Sequence, residues 1–204
     1  MKLYWSPRSP YVRKVMVVAH EKGVADRIER LPIVVSGLAV SEDFHAVNPL
    51  ARIPTLILDD GASVYDSTVI AEYLDTLSPQ NPLLPAAPGE RLAVQSMHAL
   101  GTGIADLLIP LRGELARPEA ERSATFMAVG VSKFALAADR LEAMAGGMLA
   151  RPIDLGQIAV ATALTYADFR FPHLDWRQGR PGLTAWFDAI TQRPSFRATA
   201  FVDA

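Results

Sequence analysis

Cysteine is absent from the 204 residues of the sequence. This absence excludes disulfide bonds, cysteine-ligated zinc and a cysteine nucleophile, so any thiol chemistry must use a thiol that a ligand supplies. It agrees with a reducing compartment, and we expect the protein to be cytoplasmic.

Excess charge and long apolar runs are also missing. The formal net charge is −2, and the basic residues are scattered, so neither a nucleic acid nor a membrane is expected as a partner. The start MKLYWSPRSPY lacks the apolar core of a signal peptide, and no apolar run has the length of a membrane span. The four histidines have no metal-ligand spacing, so no metal site is predicted.

Strands and helices alternate in the N-terminal part of the chain. Strands are predicted over 2–5 and 28–35, and Pro32 indicates an edge position for the second. A helix over 11–22 is predicted from apolar residues at spacings of three and one, and Gly23 ends it. A short helix begins at Ser41 and ends before Asn48.

A β-hairpin and a third helix follow. Apolar runs at 55–58 and 62–65 flank the turn Asp59-Asp60-Gly61, which is typical of a hairpin, and Asp66-Ser67 begins a helix that runs to about residue 77. The order β-α-β-α-β-β-α predicts a compact α/β sheet with helices on its faces.

A proline-rich linker separates this part from a helical one. Residues 78–89 contain several prolines that prevent helix continuation. After residue 90 we find helical apolar spacing over 90–117, 119–148, 155–169 and 181–190, and no convincing strand. The predicted domains are therefore an α/β domain over 1–79 and an all-helical domain over 87–204.

A capping box is predicted at Asp154-Leu-Gly-Gln157, before the apolar run that begins at Ile158. Asp154 and Gln157 are expected to satisfy backbone N–H groups at the start of that helix. We assign this motif to folding and not to catalysis.

Three segments together resemble the cytosolic glutathione transferases, and above all the bacterial, zeta and theta members that use a serine. They are LYWSPRSPYVRKVMVVAHEKG, NPLARIPTLILDDGASVYDSTVIAEYLD and RPGLTAWFDAITQRPSFRAT. The resemblance spans essentially the whole chain. It implies a thioredoxin-like N-terminal domain, a helical C-terminal domain, a homodimer, and glutathione as co-substrate beside a site for a small hydrophobic electrophile.

Ser9 is the candidate catalytic residue. Taken alone, Ser9-Pro10-Tyr11-Val12 is a common helix start with serine as its N-cap. In related glutaredoxins this turn is Cys-Pro-Tyr-Cys, so the resemblance implies that Ser9 donates a hydrogen bond to the glutathione thiolate and is not itself a nucleophile. Ser6, three residues earlier, is the alternative donor.

The other glutathione contacts are implied by the two later motifs. Ile53, before a proline whose peptide bond is cis in the family, would pair through its backbone with the cysteinyl part of the tripeptide, and Arg52 would bind the glycyl carboxylate. Ser67 would bind the γ-glutamyl carboxylate, and Asp66 the γ-glutamyl ammonium. Without the resemblance, Pro54 is an edge-strand proline and Asp66-Ser67 is an N-cap.

The expected reaction is attack of the glutathione thiolate on a hydrophobic electrophile. Two alternatives remain open. Glutathione could serve isomerisation, dehalogenation or peroxide reduction, or the chain could be a transferase-like scaffold that binds ligands or a protein without catalysis.

Overall fold

The computed structural model describes residues 1–34 and 42–203, which form two compact units. The first unit contains Met1–Ala86 together with the C-terminal segment that begins at Pro194, and the second contains Ala87–Arg193. The second unit ends at Arg193, whereas the domain expected from the sequence runs to 204. The last segment leaves it because its helix α8 (Pro194–Ala198) packs against α1 (Pro10–Glu21) of the first unit.

A four-stranded sheet forms the centre of the first unit, in the order β2-β1-β3-β4. Strand β1 is parallel to β2 and antiparallel to β3, and β3 is antiparallel to β4. Pro32 lies on the edge strand, as predicted, but β2 is shorter than the predicted 28–35, of which Val35 lies outside the described residues. The strands are β1 (Lys2–Trp5), β2 (Glu29–Pro32), β3 (Thr55–Ile57) and β4 (Ser63–Val64).

The helices of this unit are α1, α2 (Glu42–Val47), α3 (Ser67–Thr76) and α8, with a 3-10 turn at Ala25–Arg27. Helix α1 begins at Pro10 after the Ser9 cap, and Gly23 follows its end with a φ of +67°, a conformation that suits glycine. Helix α3 packs against α1 and buries Ile70, Ala71 and Leu74. Ser41, the expected start of α2, lies outside the described residues.

Lys22, a buried cation, ties the end of α1 to α3 and to the linker. Its Nζ lies 2.9 Å from Oδ1 of Asp75 and donates to the backbone oxygens of Gln80 and Asn81 at 2.7 and 3.1 Å. The Asp75 carboxylate also accepts from the amides of Leu83 and Leu84. The proline-rich linker is thus anchored by one ammonium and one carboxylate.

The second unit is helical, and no strand follows residue 90 within the described residues. The predicted helix over 119–148 is wrong at its start. A 3-10 turn at Glu119–Glu121 comes first, and α5 begins only where the Ser123 hydroxyl accepts from the Phe126 amide at 3.2 Å. The helices are α4 (Pro88–Ala116), α5 (Ala124–Leu149), α6 (Leu155–Arg170) and α7 (Pro181–Thr191), with a 3-10 turn at Pro172–Leu174.

Two glycines allow α4 and α6 to approach closely. A β-carbon at Gly101 would lie 2.5 Å from the carbonyl carbon of Ala159 and from the amide nitrogen of Val160, and one at Gly156 would lie 2.8 Å from the backbone oxygen of Val94. Only a hydrogen fits at either position. Helix α4 has the length and apolar content of a membrane span, but core helices of soluble proteins share both properties, and α4 packs along α6.

The capping box at the start of α6 is confirmed for Asp154, whose Oδ1 accepts from the Gln157 amide at 2.8 Å. The expected return bond from Gln157 differs. Its Nε2 donates to the Pro152 carbonyl at 2.7 Å, and its Oε1 accepts from the Trp186 indole at 2.9 Å. Gln157 therefore connects α6 to α7 and to the loop before α6.

Candidate active site

Three loop segments converge at one edge of the sheet because of the strand directions. This edge is formed by the last residues of β1 and β4 and the first residues of β3. The register pairs Tyr4 with Thr55, so the end of β1 lies beside the start of β3. Since β4 is antiparallel to β3 and Val64 pairs with Leu56, the end of β4 reaches the same edge. The topology therefore brings together Ser9, which follows β1, Ile53, which precedes β3, and Ser67, which follows β4.

Ser9 caps α1, as predicted from the sequence. Its half-buried hydroxyl accepts from the Val12 amide at 3.3 Å, and its hydrogen stays available for a ligand because the described residues provide no acceptor. The Ser6 hydroxyl accepts from the Arg8 amide at 3.4 Å. Both hydroxyls line the same pocket, but only Ser9 lies at the positive end of the α1 dipole.

The segment before β3 presents an unpaired stretch of backbone. The Ile53–Pro54 peptide bond is cis, as the resemblance implies. Within residues 1–34 and 42–203, neither backbone polar group of Ile53 has a hydrogen-bond partner. Such a stretch can pair with an extended peptide as one rung of a sheet. The Arg52 side chain is exposed and forms no hydrogen bond or ion pair with the described part of the chain.

Asn48 and Thr55 hold this segment in place. The Asn48 side-chain amide donates to Oγ1 of Thr55 at 2.9 Å and to the Arg52 carbonyl at 3.1 Å, and the Thr55 hydroxyl donates to the same carbonyl at 2.8 Å. Both side chains are almost fully buried. The sequence pattern predicts only that a helix ends before Asn48, and it gives no sign of this positioning role.

The start of α3 combines an exposed carboxylate with a buried hydroxyl. Asp66 is the N-cap, and its Oδ1 accepts from the Thr68 amide at 2.9 Å. Ser67 is only 2% exposed, yet its hydroxyl has no hydrogen-bond partner among the described residues. A buried polar group normally has a partner, so this hydroxyl is suited to a ligand.

A pocket of about 190 Å³ adjoins Ser6 and Ser9, between one face of α1, the ends of β1 and β2, and the C-terminal segment. Arg13 lines it and is 8% exposed. Its guanidinium donates to the Phe196 carbonyl at 3.1 Å and lies 4.6 Å from the centre of the Phe201 ring. Burial lowers the pKa of Arg13 to about 10.

Metal-binding geometry does not occur at this edge. Across the described ranges, no three His, Asp or Glu side chains lie close enough together to hold a metal ion. The polar groups of the site are instead hydroxyls, backbone groups and single charges. These groups are suited to an organic ligand that itself carries opposite charges.

Family comparisons agree with this arrangement of fold and site. The model of the glutathione S-transferase N-terminal domain matches residues 8–77, and that of the C-terminal domain matches residues 115–189. A GST-like protein of Escherichia coli K12, YibF, which is described as uncharacterized, is 33% identical over 98% of each chain. The chain belongs to the glutathione S-transferase family.

Solved structures give the same result. A glutathione transferase family member from Pseudomonas fluorescens Pf-5, crystallised with bound glutathione, is 40% identical over 98% of each chain with a TM-score of 0.94. A structure of a Pf-5 family member with bound S-(propanoic acid)-glutathione has 42% identity over 98% of each chain and a TM-score of 0.89. The predicted fold class, a thioredoxin-like domain followed by a helical domain, is thereby confirmed.

Proposed function

We propose that this chain binds glutathione at the edge of its sheet and stabilises its thiolate for attack on a small hydrophobic electrophile, so that the whole tripeptide is joined to the electrophile through its sulfur. The observation that carries the proposal is the convergence of Ser9, the backbone of Ile53 and Ser67 at that edge, each with hydrogen-bonding capacity that the described residues leave unused. The solved relatives with glutathione or an S-substituted glutathione support both the ligand and substitution at its sulfur.

Each group has a counterpart in the tripeptide. Ile53 pairs with the backbone of the cysteinyl residue, and Ser67 binds the γ-glutamyl carboxylate with help from the α3 N-terminus. Asp66 binds the γ-glutamyl ammonium, and Arg52 binds the glycyl carboxylate as a bidentate partner. The ligand thus meets an opposite charge or a dipole at each of its charged ends.

Ser9 stabilises the thiolate. A free thiol has a pKa of about 8.5, so only a few per cent is ionised at neutral pH. A hydroxyl donor at the positive end of α1 favours the charged form, and each unit by which the pKa falls is worth about 1.4 kcal/mol. A fall of two units would make the thiolate the dominant species at pH 7 without any cysteine in the chain.

The test compares Ser9→Ala with Ser6→Ala. Calorimetry measures the Kd of glutathione, and ultraviolet difference spectra measure the pKa of the bound thiol. Turnover is measured as conjugation of glutathione to an aryl halide. For Ser9→Ala we expect the thiol pKa to rise by at least one unit and kcat to fall at least tenfold, with a much smaller change in Kd.

Ser6→Ala is the matched control, because it removes a hydroxyl from the same pocket without removing the helix cap. If Ser6→Ala and not Ser9→Ala raises the thiol pKa, the donor is Ser6. Absence of glutathione binding at millimolar concentration would refute the proposal as a whole and would leave the scaffold alternative.

We further propose a cytoplasmic homodimer. Several apolar side chains on α5 are exposed, and Phe126 and Val129 are each 46% exposed. A second copy of the chain would cover such a face. Light scattering at micromolar concentration measures the mass directly. A monomer at every concentration would contradict the dimer.

A further inference from the structure

The pocket beside Ser9 contains basic groups and lacks acidic ones. Arg13 and Arg30 line it, and no aspartate or glutamate does so among the described residues. The described part of the chain also supplies no carboxylate within ion-pair distance of either guanidinium. The described residues therefore give the pocket two cations and no counter-ion.

Arg13 is held rigidly but has unused donors. It is more than nine-tenths buried, its only hydrogen bond within the described chain goes to the Phe196 carbonyl, and its Nε has no partner. A guanidinium has five N–H donors, and a buried donor without an acceptor costs stability. An anion in the pocket would offset the positive charge of this buried guanidinium.

Arg30 supplies a second, more accessible cation. It lies on β2 in register with Leu3, and its guanidinium is 5.4 Å from the centre of the Trp5 ring, which also lines the pocket. This distance is within the range of a cation–π interaction, and Arg30 as a whole is exposed. Arg13 and Arg30 thus contribute positive charge from α1 and from β2.

We infer that this pocket binds the carboxylate of the second substrate, so that the electrophile is a small organic acid with its reactive carbon beside Ser9. The inference rests on the proposed function. A carboxylate close to a thiolate is repelled by it, and a transferase for acids therefore needs cations on the side of the electrophile. Arg13 and Arg30 provide them, and Trp5 and Met16 provide an apolar wall for the carbon skeleton.

Iodoacetate is a suitable probe for this chemistry. The glutathione sulfur forms a bond to its methylene carbon, the carbon–iodine bond breaks, and iodide leaves with the bonding electron pair. The thiol proton has already passed to solvent when the thiolate forms, so no oxidant or reductant is required. Iodoacetamide undergoes the same displacement and has nearly the same size, but it carries no charge.

The experiment measures the enzymatic rate enhancement for both probes in wild type, Arg30→Gln and Arg27→Gln. Arg27 is an exposed arginine three residues earlier that does not line the pocket. Arg27→Gln therefore controls for the loss of one positive charge outside the pocket. We expect wild type to prefer the acid. We also expect the acid-to-amide ratio to fall about fivefold in Arg30→Gln, the effect of one partly exposed ion pair, and to be retained in Arg27→Gln.

Binding of the products provides a readout that does not depend on turnover. Calorimetry compares S-carboxymethylglutathione with S-carbamoylmethylglutathione, and wild type should bind the acid about fivefold more tightly, a preference that Arg30→Gln removes. Equal affinity of the wild type for the two conjugates would overturn the inference, and so would an equal loss of the acid preference in Arg27→Gln. If glutathione still binds in that case, the proposed function stands. Failure of glutathione and both conjugates to bind would overturn both.

Discussion

Replacing Gly101 by alanine adds one methyl group where α4 packs against α6. In an open helix position this change is stabilising by about 1 kcal/mol, because glycine is the poorer helix former. At Gly101 the new carbon would lie 2.5 Å from two backbone atoms of α6 and 2.9 Å from the β-carbon of Ala159. Backbone atoms cannot rotate away as a flexible side chain can, so the helices must separate.

The net cost follows from these two opposing terms. Overpacking of a core costs about 1–3 kcal/mol, and two backbone contacts place Gly101 at the upper end of that range. After the gain in helix propensity, we expect the free energy of unfolding to fall by about 2 kcal/mol. For a chain of this size the Tm should fall by roughly 4–8 °C.

Gly103→Ala is the matched control, two residues away on the same helix. A β-carbon at Gly103 would have no atom within 4 Å. The same substitution should therefore raise the Tm by about 2–4 °C. Differential scanning calorimetry of both variants with the wild type decides the question. A Gly101→Ala protein that melts at or above the wild-type temperature would refute the account of α4–α6 packing.

Three other perturbations address separate contacts. Asp154→Ala removes the cap of α6 and should cost about 1 kcal/mol in urea unfolding, so an unchanged midpoint would contradict the cap. Lys22→Met leaves Asp75 buried without its cation and should cost about 3 kcal/mol, and a smaller loss than for Asp154→Ala would refute its anchoring role. Burial raises the pKa of Tyr166, so its phenol should ionise after the other tyrosines in an alkaline absorbance titration. The buried neutral phenol stabilises the folded state at lower pH, and this stabilisation is lost as the pH rises through the folded-state pKa. Tyr166→Phe should remove the late phase, and a late phase that persists would refute the assignment.

Much of the first unit could be predicted from local patterns. Ser9, Pro10 and Gly23 set the ends of α1 through capping and backbone preferences, which depend only on near neighbours in sequence. The hairpin around Gly61 and the start of α3 at Asp66 are predictable for the same reason. The start of α5 was placed too early, because Glu119, Ala120 and Arg122 are good helix formers and extend the helical pattern past Ser123, which is the cap.

The parts of the site that could not be predicted depend on residues far apart in sequence. Arg13 resembles an ordinary polar residue of an amphipathic helix, and its burial results from Phe196, more than 180 positions later. Lys22 and Asp75 likewise become partners only through the packing of α1 against α3. Periodicity identifies which face of a helix is buried, but it does not identify what covers that face.

The return of the chain to the first unit at Pro194 affects the order in which the protein can be completed during synthesis. The ribosome produces the sheet and α1 early. The carbonyl of Phe196, which accepts the Arg13 hydrogen bond, and the ring of Phe201, which lies against that guanidinium, are translated only after the helical unit. Until then the guanidinium of Arg13 is not covered by Phe196 and Phe201, and the surface beside Ser9 is incomplete and charged. The serine pocket therefore acquires its wall only after the entire helical unit has been translated.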